Sequence, residues 1–310
     1  MKKTVFKLLL FLSPIVLVWA AVEWFYRTTP NNYTVKYDYM EAHSADVETL
    51  LFGSSHCFYA LDPTYFSGTA FNLSNISQSI EFDALLFEKY FDRMPKLKKV
   101  VFCIEYSNLS HKENTREDVF RKYYYENYMH LDVPSVSPID PKKYSLAFTR
   151  SLEQTWESYE RYDFFGTIVD CDPNGWGNNY PKVYRFGPDY NVEERLQAHE
   201  DGSVDFSENV ARLEHMIEQC EERDVEVVIV SLPQSKLYTQ GLDRHKLELI
   251  YATCESLAED HEKVRYHNLF EDPRFVDDDF FDADHLNDVA AVKCSKIVND
   301  FLLESERTSK

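Results

Sequence analysis

Residues 225–233 read VEVVIVSLP, a short apolar run with VVIV at its centre that Pro233 closes. A strand apolar on both faces belongs in a parallel sheet covered by helices on each side. Its flanks fit that reading. Upstream, residues 206–222 set Val210, Leu213, Ile217 and Cys220 at helical spacing, and a further helix is expected at about 243–259. The same alternation extends outward in both directions. Strands are expected at 47–52 (VETLLF), 70–73 (AFNL), 98–106 (KKVVFCIEY) and 264–269 (VRYHNL). Helices are expected at 81–93, with Leu85, Leu86, Tyr90 and Phe91 on one side, and at 287–303, with Ala290, Cys294, Ile297 and Phe301 on one face. Strands alternating with helices predict an α/β domain of three layers, α/β/α, around a mainly parallel sheet of roughly five strands.

Residues 107–205 interrupt the alternation. The stretch is rich in Tyr, Phe, Trp, Pro and charge, as in VFRKYYYENYMHLDVP and CDPNGWGNNYPKVYRFGPDY, and is too long for an idle connection. It reads as an inserted, aromatic-rich subdomain, partly helical around 145–163. Its rings could stack on sugars, although aromatic side chains more commonly supply packing.

The amino-terminal end has a different character. Lys2, Lys3 and Lys7 precede LLLFLSPIVLVWAAV, residues 8–22, and Trp24, Phe25 and Tyr26 follow. With its flanks the run approaches the ~20 residues that cross a bilayer, the lysines favour a cytoplasmic amino terminus, and the aromatics suit an interfacial belt. Residues 1–27 are expected to be a membrane anchor. The alternative is a signal peptide cut after Val18 and Ala20, which would release the domain as a secreted protein. Either way the body lies outside the cytoplasm. Residues 28–46 read as a stalk, and 47–310 as the domain.

A net charge of −20 on 310 residues excludes nucleic acid as a partner, because phosphate binding needs a basic surface. A 44% hydrophobic content supports a large core, and the scarcity of glycine, 8 residues, argues against low complexity. The six cysteines at 57, 103, 171, 220, 254 and 294 lack metal-binding spacing. Buried thiols are expected at 103, 220, 254 and 294.

Two short motifs carry chemistry. LLFGSSHCF, residues 50–58, runs from a buried strand into Gly53, Ser54, Ser55 and His56. Ligands bind beyond the carboxyl ends of strands in open parallel sheets, so a hydroxyl is presented there. A serine needs a base to attack, usually a His that a carboxylate holds in the correct tautomer. DDDFFDADHLNDVA, residues 277–290, offers Asp282 and His285 just before the last helix. His56 packs or faces solvent, or donates to a substrate. Cys57 is a poor rival nucleophile, since nothing nearby lowers its pKa. The acidic run 277–284 reads as a solvated loop rather than a Ca²⁺ or Mg²⁺ site, and the Asp-x-x-His also suits a helix cap through Asp284 or Asn287.

Together, Gly53-Ser54-Ser55 after the first strand and Asp282-Ala283-Asp284-His285 near the end resemble the SGNH/GDSL hydrolase superfamily. The likeness is strongest to its membrane-anchored envelope branch, which reads Gly-Ser-Ser in the first motif. The resemblance covers the order of elements from about 47 to 303 and implies a flavodoxin-like sheet with Ser55 as nucleophile, His285 as general base and Asp282 as its orienting carboxylate. It implies an esterase or O-acyltransferase acting on acylated envelope polysaccharide or glycolipid, with no cofactor and no metal. The family's oxyanion donors are the nucleophile's N–H, a Gly and an Asn. Here FNLSNISQS (71–79) has no Gly and IEYSN (104–108) departs from Gly-x-Asn-Asp, leaving Ser55, Asn75, Ser77, Gln78 and Asn108 as candidates. The degraded blocks also suit a non-catalytic module that binds polysaccharide or partners a membrane acyltransferase.

Overall fold

The computed structural model describes residues 2–111 and 119–308, so residues 112–118 of the expected insert lie outside the described residues. In chain order the helices and strands are α1 (Lys2–Thr28), α2 (Asn32–His43), β1 (Thr49–Phe52), α3 (Ser55–Ala60), β2 (Ala70–Asn72) and α4 (Ile80–Tyr90). There follow β3 (Lys99–Cys103), α5 (Arg121–Tyr128), α6 (Leu152–Phe165), α7 (Val192–His199) and α8 (Ser207–Glu222). The chain ends with β4 (Glu226–Ser231), α9 (Lys236–Gly241), α10 (Arg244–Asp260), β5 (Val264–Asn268) and α11 (Asp288–Thr308). Short 3₁₀ turns join several of these.

All five strands are parallel, in the order β2-β1-β3-β4-β5. One register row runs Asn72–Leu51–Val101–Val228–Arg265 across the whole sheet. Alternation along each strand then divides the core. Leu51, Val101, Cys103, Val228 and Val230 pack with Ala290, Cys294, Val298 and Leu302 of α11 and with Cys57 and Ala60 of α3. The alternate residues turn to the opposite face, where Phe52 lies 6.3 Å from Phe87 of α4, and α4 packs on α8. The result is the three-layer α/β/α arrangement that the apolar runs predict. The order 2-1-3-4-5 reverses direction between β1 and β3, which opens a crevice at the carboxyl ends of those two strands.

The chain forms two compact units. Met1–Tyr37 with Thr115–Val169 make one, and Asp38–Asn114 with Asp170–Lys310 make the other. The expected insert, 107–205, is thus divided, with Asp170 onward belonging to the unit that holds the sheet. Much of its aromatic content does supply packing. Tyr123, Tyr125 and Tyr128 are buried, and Tyr125 meets Tyr33 edge-on at 5.0 Å. The expected stalk contains a helix, α2. Asn31 starts it, accepting from the backbone N–H groups of Tyr33 and Thr34 at 3.0 and 3.2 Å. α1 is long and apolar enough to cross a membrane, and the apolar side chains of its first 19 residues face outward. All six cysteines are buried and unpaired.

Ile229, fully buried in the interior strand β4, tests the core. Ile229→Ala is expected to cost about 2–5 kcal/mol, read as a lower urea midpoint with unchanged slope.

Candidate active site

The site begins with a glycine that nothing else can replace. Gly53 ends β1 with φ +141°, and a Cβ added there would sit 2.9 Å from Cys103 Cβ and 3.0 Å from Cys57 Cβ. This lets β1 turn sharply into α3 while β3 stays close beneath it. Ser54 caps α3, its hydroxyl accepting from His56 N–H at 3.4 Å, and donates to Glu105 beyond β3. Its hydroxyl is therefore engaged. Ser55, the next residue, is partly exposed, and its Oγ lies 2.8 Å from Nε2 of His285.

His285 is held from its other side. Nδ1 lies 3.0 and 3.2 Å from the two oxygens of Asp282, whose Oδ1 also accepts the His285 backbone N–H at 2.9 Å. In the neutral imidazole this fixes the proton on Nδ1 and leaves Nε2 to accept from the Ser55 hydroxyl. The loop carrying both residues is clipped by Phe281 N–H donating to His285 O at 2.8 Å. Asn287 then caps α11, accepting from Ala290 N–H at 3.0 Å. Of the two capping candidates, Asn287 takes that role, while Asp282 and His285 form the contact with Ser55.

The acidic run is solvated only in part. Asp277 and Asp278 are exposed as expected, whereas Asp279, Asp282 and Asp284 are buried, and Asp279 takes Lys293. Asp284 sits among four basic groups. His285 Nδ1 is 3.2 Å away, His56 Nε2 3.3 Å, Arg195 Nε 3.4 Å and His199 Nδ1 3.7 Å. Burial disfavours its charge, yet His285 and His56 hold its pKa well below the usual carboxylate range. Burial likewise opposes protonation of His285, but Asp282 and Asp284 outweigh it and raise its pKa well above the ordinary imidazole value. His199 is pushed down to about 4 by burial and takes the Tyr238 hydroxyl on Nδ1 at 2.7 Å.

His56 is buried rather than solvated. It stacks on His285 with centroids 4.6 Å apart, and its ring nitrogens are bracketed by Glu105 and Asp284. Tyr59 and Tyr180 meet the His285 ring edge-on, each at 5.5 Å, and stack on one another at 3.7 Å. His56, Asp284 and His285 together offer ligand atoms within 4.8 Å of one another. The Arg195 guanidinium already supplies a cation at Asp284, and Ser55 and Asp282 engage the His285 ring.

The expected oxyanion donors separate. Asn75 N–H donates to Gly53 O at 3.3 Å, and its side-chain Oδ1 takes the Ile76 N–H at 2.9 Å. Its Nδ2 is buried with no hydrogen-bond partner among the described residues, which makes it an unspent donor there. Gln78 turns its amide nitrogen to Leu73 O at 3.3 Å and to Asp83 at 2.6 Å. Asp83 also takes the Gly53 N–H, and burial pushes its pKa up to about 7. Ser77 occupies the left-handed region at φ +54°. Asn108 folds its Oδ1 back onto Glu105 N–H at 2.7 Å. Gln78 and Asn108 therefore shape the turns around the crevice. Glu105, Tyr180, Arg195 and His199 were not singled out from the sequence; only the excess of aromatics in 107–205 hinted at any of them.

No family model matches the chain. No curated protein matches it either. Among solved structures, it is similar to a Streptococcus pneumoniae chain provisionally described as a platelet activating factor. The two are 14% identical with a TM-score of 0.43, over 93% of this chain and 99% of that one. That likeness is too distant to bear on activity.

Gly53→Ala is expected to lower stability by about 1–3 kcal/mol through the strained φ, with a further penalty from the Cys103 contact. Thermal unfolding of the variant checks this; an Ala variant as stable as the parent would contradict the account of the turn.

Proposed function

We propose that this chain is a serine hydrolase of the SGNH type that acts on ester-linked acyl groups. The observation that supports this most is the 2.8 Å approach of Ser55 Oγ to His285 Nε2, with Asp282 on the opposite ring nitrogen. Ser55 attacks the ester carbonyl as its proton passes to Nε2. The resulting imidazolium is stabilised by Asp282. Negative charge develops on the former carbonyl oxygen, for which the Ser55 N–H and Asn75 Nδ2 are the proposed donors. Collapse expels the alcohol, which takes the proton from His285, and leaves an acyl group on Ser55. Water or a sugar hydroxyl then resolves the acyl-enzyme by the same steps in reverse, giving hydrolysis or transfer.

The substrate side of the proposal is an acylated carbohydrate or glycolipid of the cell envelope. It draws on the resemblance in motif order, on the lysine-first apolar helix α1, which suits an anchor with the body outside the cytoplasm, and on the aromatic wall of Tyr59, Tyr180 and Phe281 beside His285.

Labelling by a fluorophosphonate tests the nucleophile. The parent chain is expected to label and Ser55→Ala to lose the label, with kcat toward p-nitrophenyl acetate falling about 10⁶-fold. Asp282→Asn is expected to cost about 10⁴-fold and Asn75→Ala about 10²–10³-fold. A parent chain that neither labels nor turns over ester would leave a binding module with an intact triad geometry.

The pH profile carries a separate expectation. Only neutral His285 accepts the serine proton, and its pKa is raised, so kcat/KM should climb with pH through a value above the usual ~6.5 of imidazole. Asp284→Asn removes one of the two carboxylates that raise it, so the ascending limb should move to lower pH. An unmoved limb would show that Asp284 does not set the protonation of His285.

A further inference from the structure

α1 does not leave its unit bare. Segment 139–165 is laced to its carboxyl-terminal third by polar contacts that span two and a half turns. Trp19 Nε1 donates to Ser145 Oγ at 3.0 Å, and Glu23 Oε2 accepts from Ser145 Oγ at 2.7 Å and Ala147 N–H at 2.9 Å. Arg27 donates to Tyr144 O at 3.2 Å and pairs with Glu23, while Tyr26 and Thr155 hydroxyls meet at 3.1 Å. Rings fill the spaces between. Phe148 stacks on Trp19, and Tyr159 and Tyr162 meet Phe25 at 6.1 and 6.0 Å.

These contacts set a depth. If α1 spans the bilayer, Glu23 and Arg27 mark its outer mouth, because a charged pair is not held in hydrocarbon. Trp19 lies four residues further in, about 6 Å at helical rise. Phe148, stacked on it, sits at that same depth. This is the headgroup–acyl boundary, the level favoured by tryptophan and tyrosine and entered about 5–10 Å deep by interfacial helices.

The outward surface of the segment suits that level. α6 leaves Leu152 68% exposed, Trp156 60%, Phe164 81% and Phe165 67%, with Glu153, Glu157 and Glu160 at i, i+4 and i+7 in a row flanked by Leu152 and Trp156 on one side and Phe165 on the other, and with Phe164 continuing that row. In water such a cluster of large apolar side chains would be a liability. Arg161 is the single base on this helix.

We infer that segment 139–165 is a wedge seated in the outer interface of the lipid bilayer, so that the chain grips the membrane by a helix and a flanking aromatic clasp. The inference rests on the reading of α1 as an anchor and is independent of the chemistry at Ser55.

Nitroxide accessibility in the full chain, reconstituted in phosphatidylcholine nanodiscs, tests it. Because the native cysteines are all buried, labels go to introduced ones at Trp156→Cys, Phe164→Cys and Leu12→Cys. Labels at 156 and 164 should relax several-fold more with oxygen than with an aqueous nickel chelate. Aqueous behaviour at 156 and 164 with a lipid-like label at 12 would overturn the wedge and leave the anchor intact. Aqueous behaviour at 12 as well would remove both. Shielding of 156 and 164 from both relaxants would overturn the lipid reading in favour of a covering protein.

Discussion

Asp282 and Asp284 carry their carboxylates into the interior, where an unpaired charge is costly enough that a protein must surround it or neutralise it. Here the surroundings are basic on every open side. His285, His56, Arg195 and His199 converge on Asp284 from the terminal loop, from α3 and from α7. Pairing these acids therefore draws three distant stretches of chain to the carboxyl ends of β1 and β3. The geometry of Ser55 is a by-product of that convergence. With the imidazole clamped by Asp282 and sandwiched against His56, one orientation of the ring remains, and it points Nε2 at the hydroxyl.

The sheet supplies the second constraint. A parallel order of 2-1-3-4-5 leaves its crevice where β1 and β3 part, and Gly53 occupies that place with a backbone that no side chain would tolerate. Ser54 and Ser55 are neighbours with opposite fates for this reason. The first turns under the helix to Glu105, and the second turns out to His285.

Sequence made the local parts readable. Apolar runs such as VVFC and VVIVS mark strands whatever surrounds them, and a hydroxyl after a strand or an Asp three residues before a His is visible within a few positions. What stayed hidden depends on tertiary placement. Arg195 lies in a short polar helix that looks like any solvated one, and Glu105 reads as an ordinary residue at a strand end. Composition in 277–284 suggested solvent exposure because five aspartates seldom go inside; it could not say that Asp282 and Asp284 would do so among bases from elsewhere. The helix at 32–43 had a legible cap in Asn31, but its alternating tyrosines and β-branched residues masked the helical period. Likewise, the division of 107–205 between two units follows from contacts rather than from any boundary in composition.

The Ser55–His285 contact bridges a sequence separation of 230 residues. Closing so long a loop is entropically slow, and it waits on the docking of α11 and of residues 282–285 that precede it. Until that helix docks, Ser55 is an ordinary alcohol with no base within reach. The contact that the proposed chemistry needs is thus among the latest to form, and a chain caught before it closes would carry only an inert alcohol at that position.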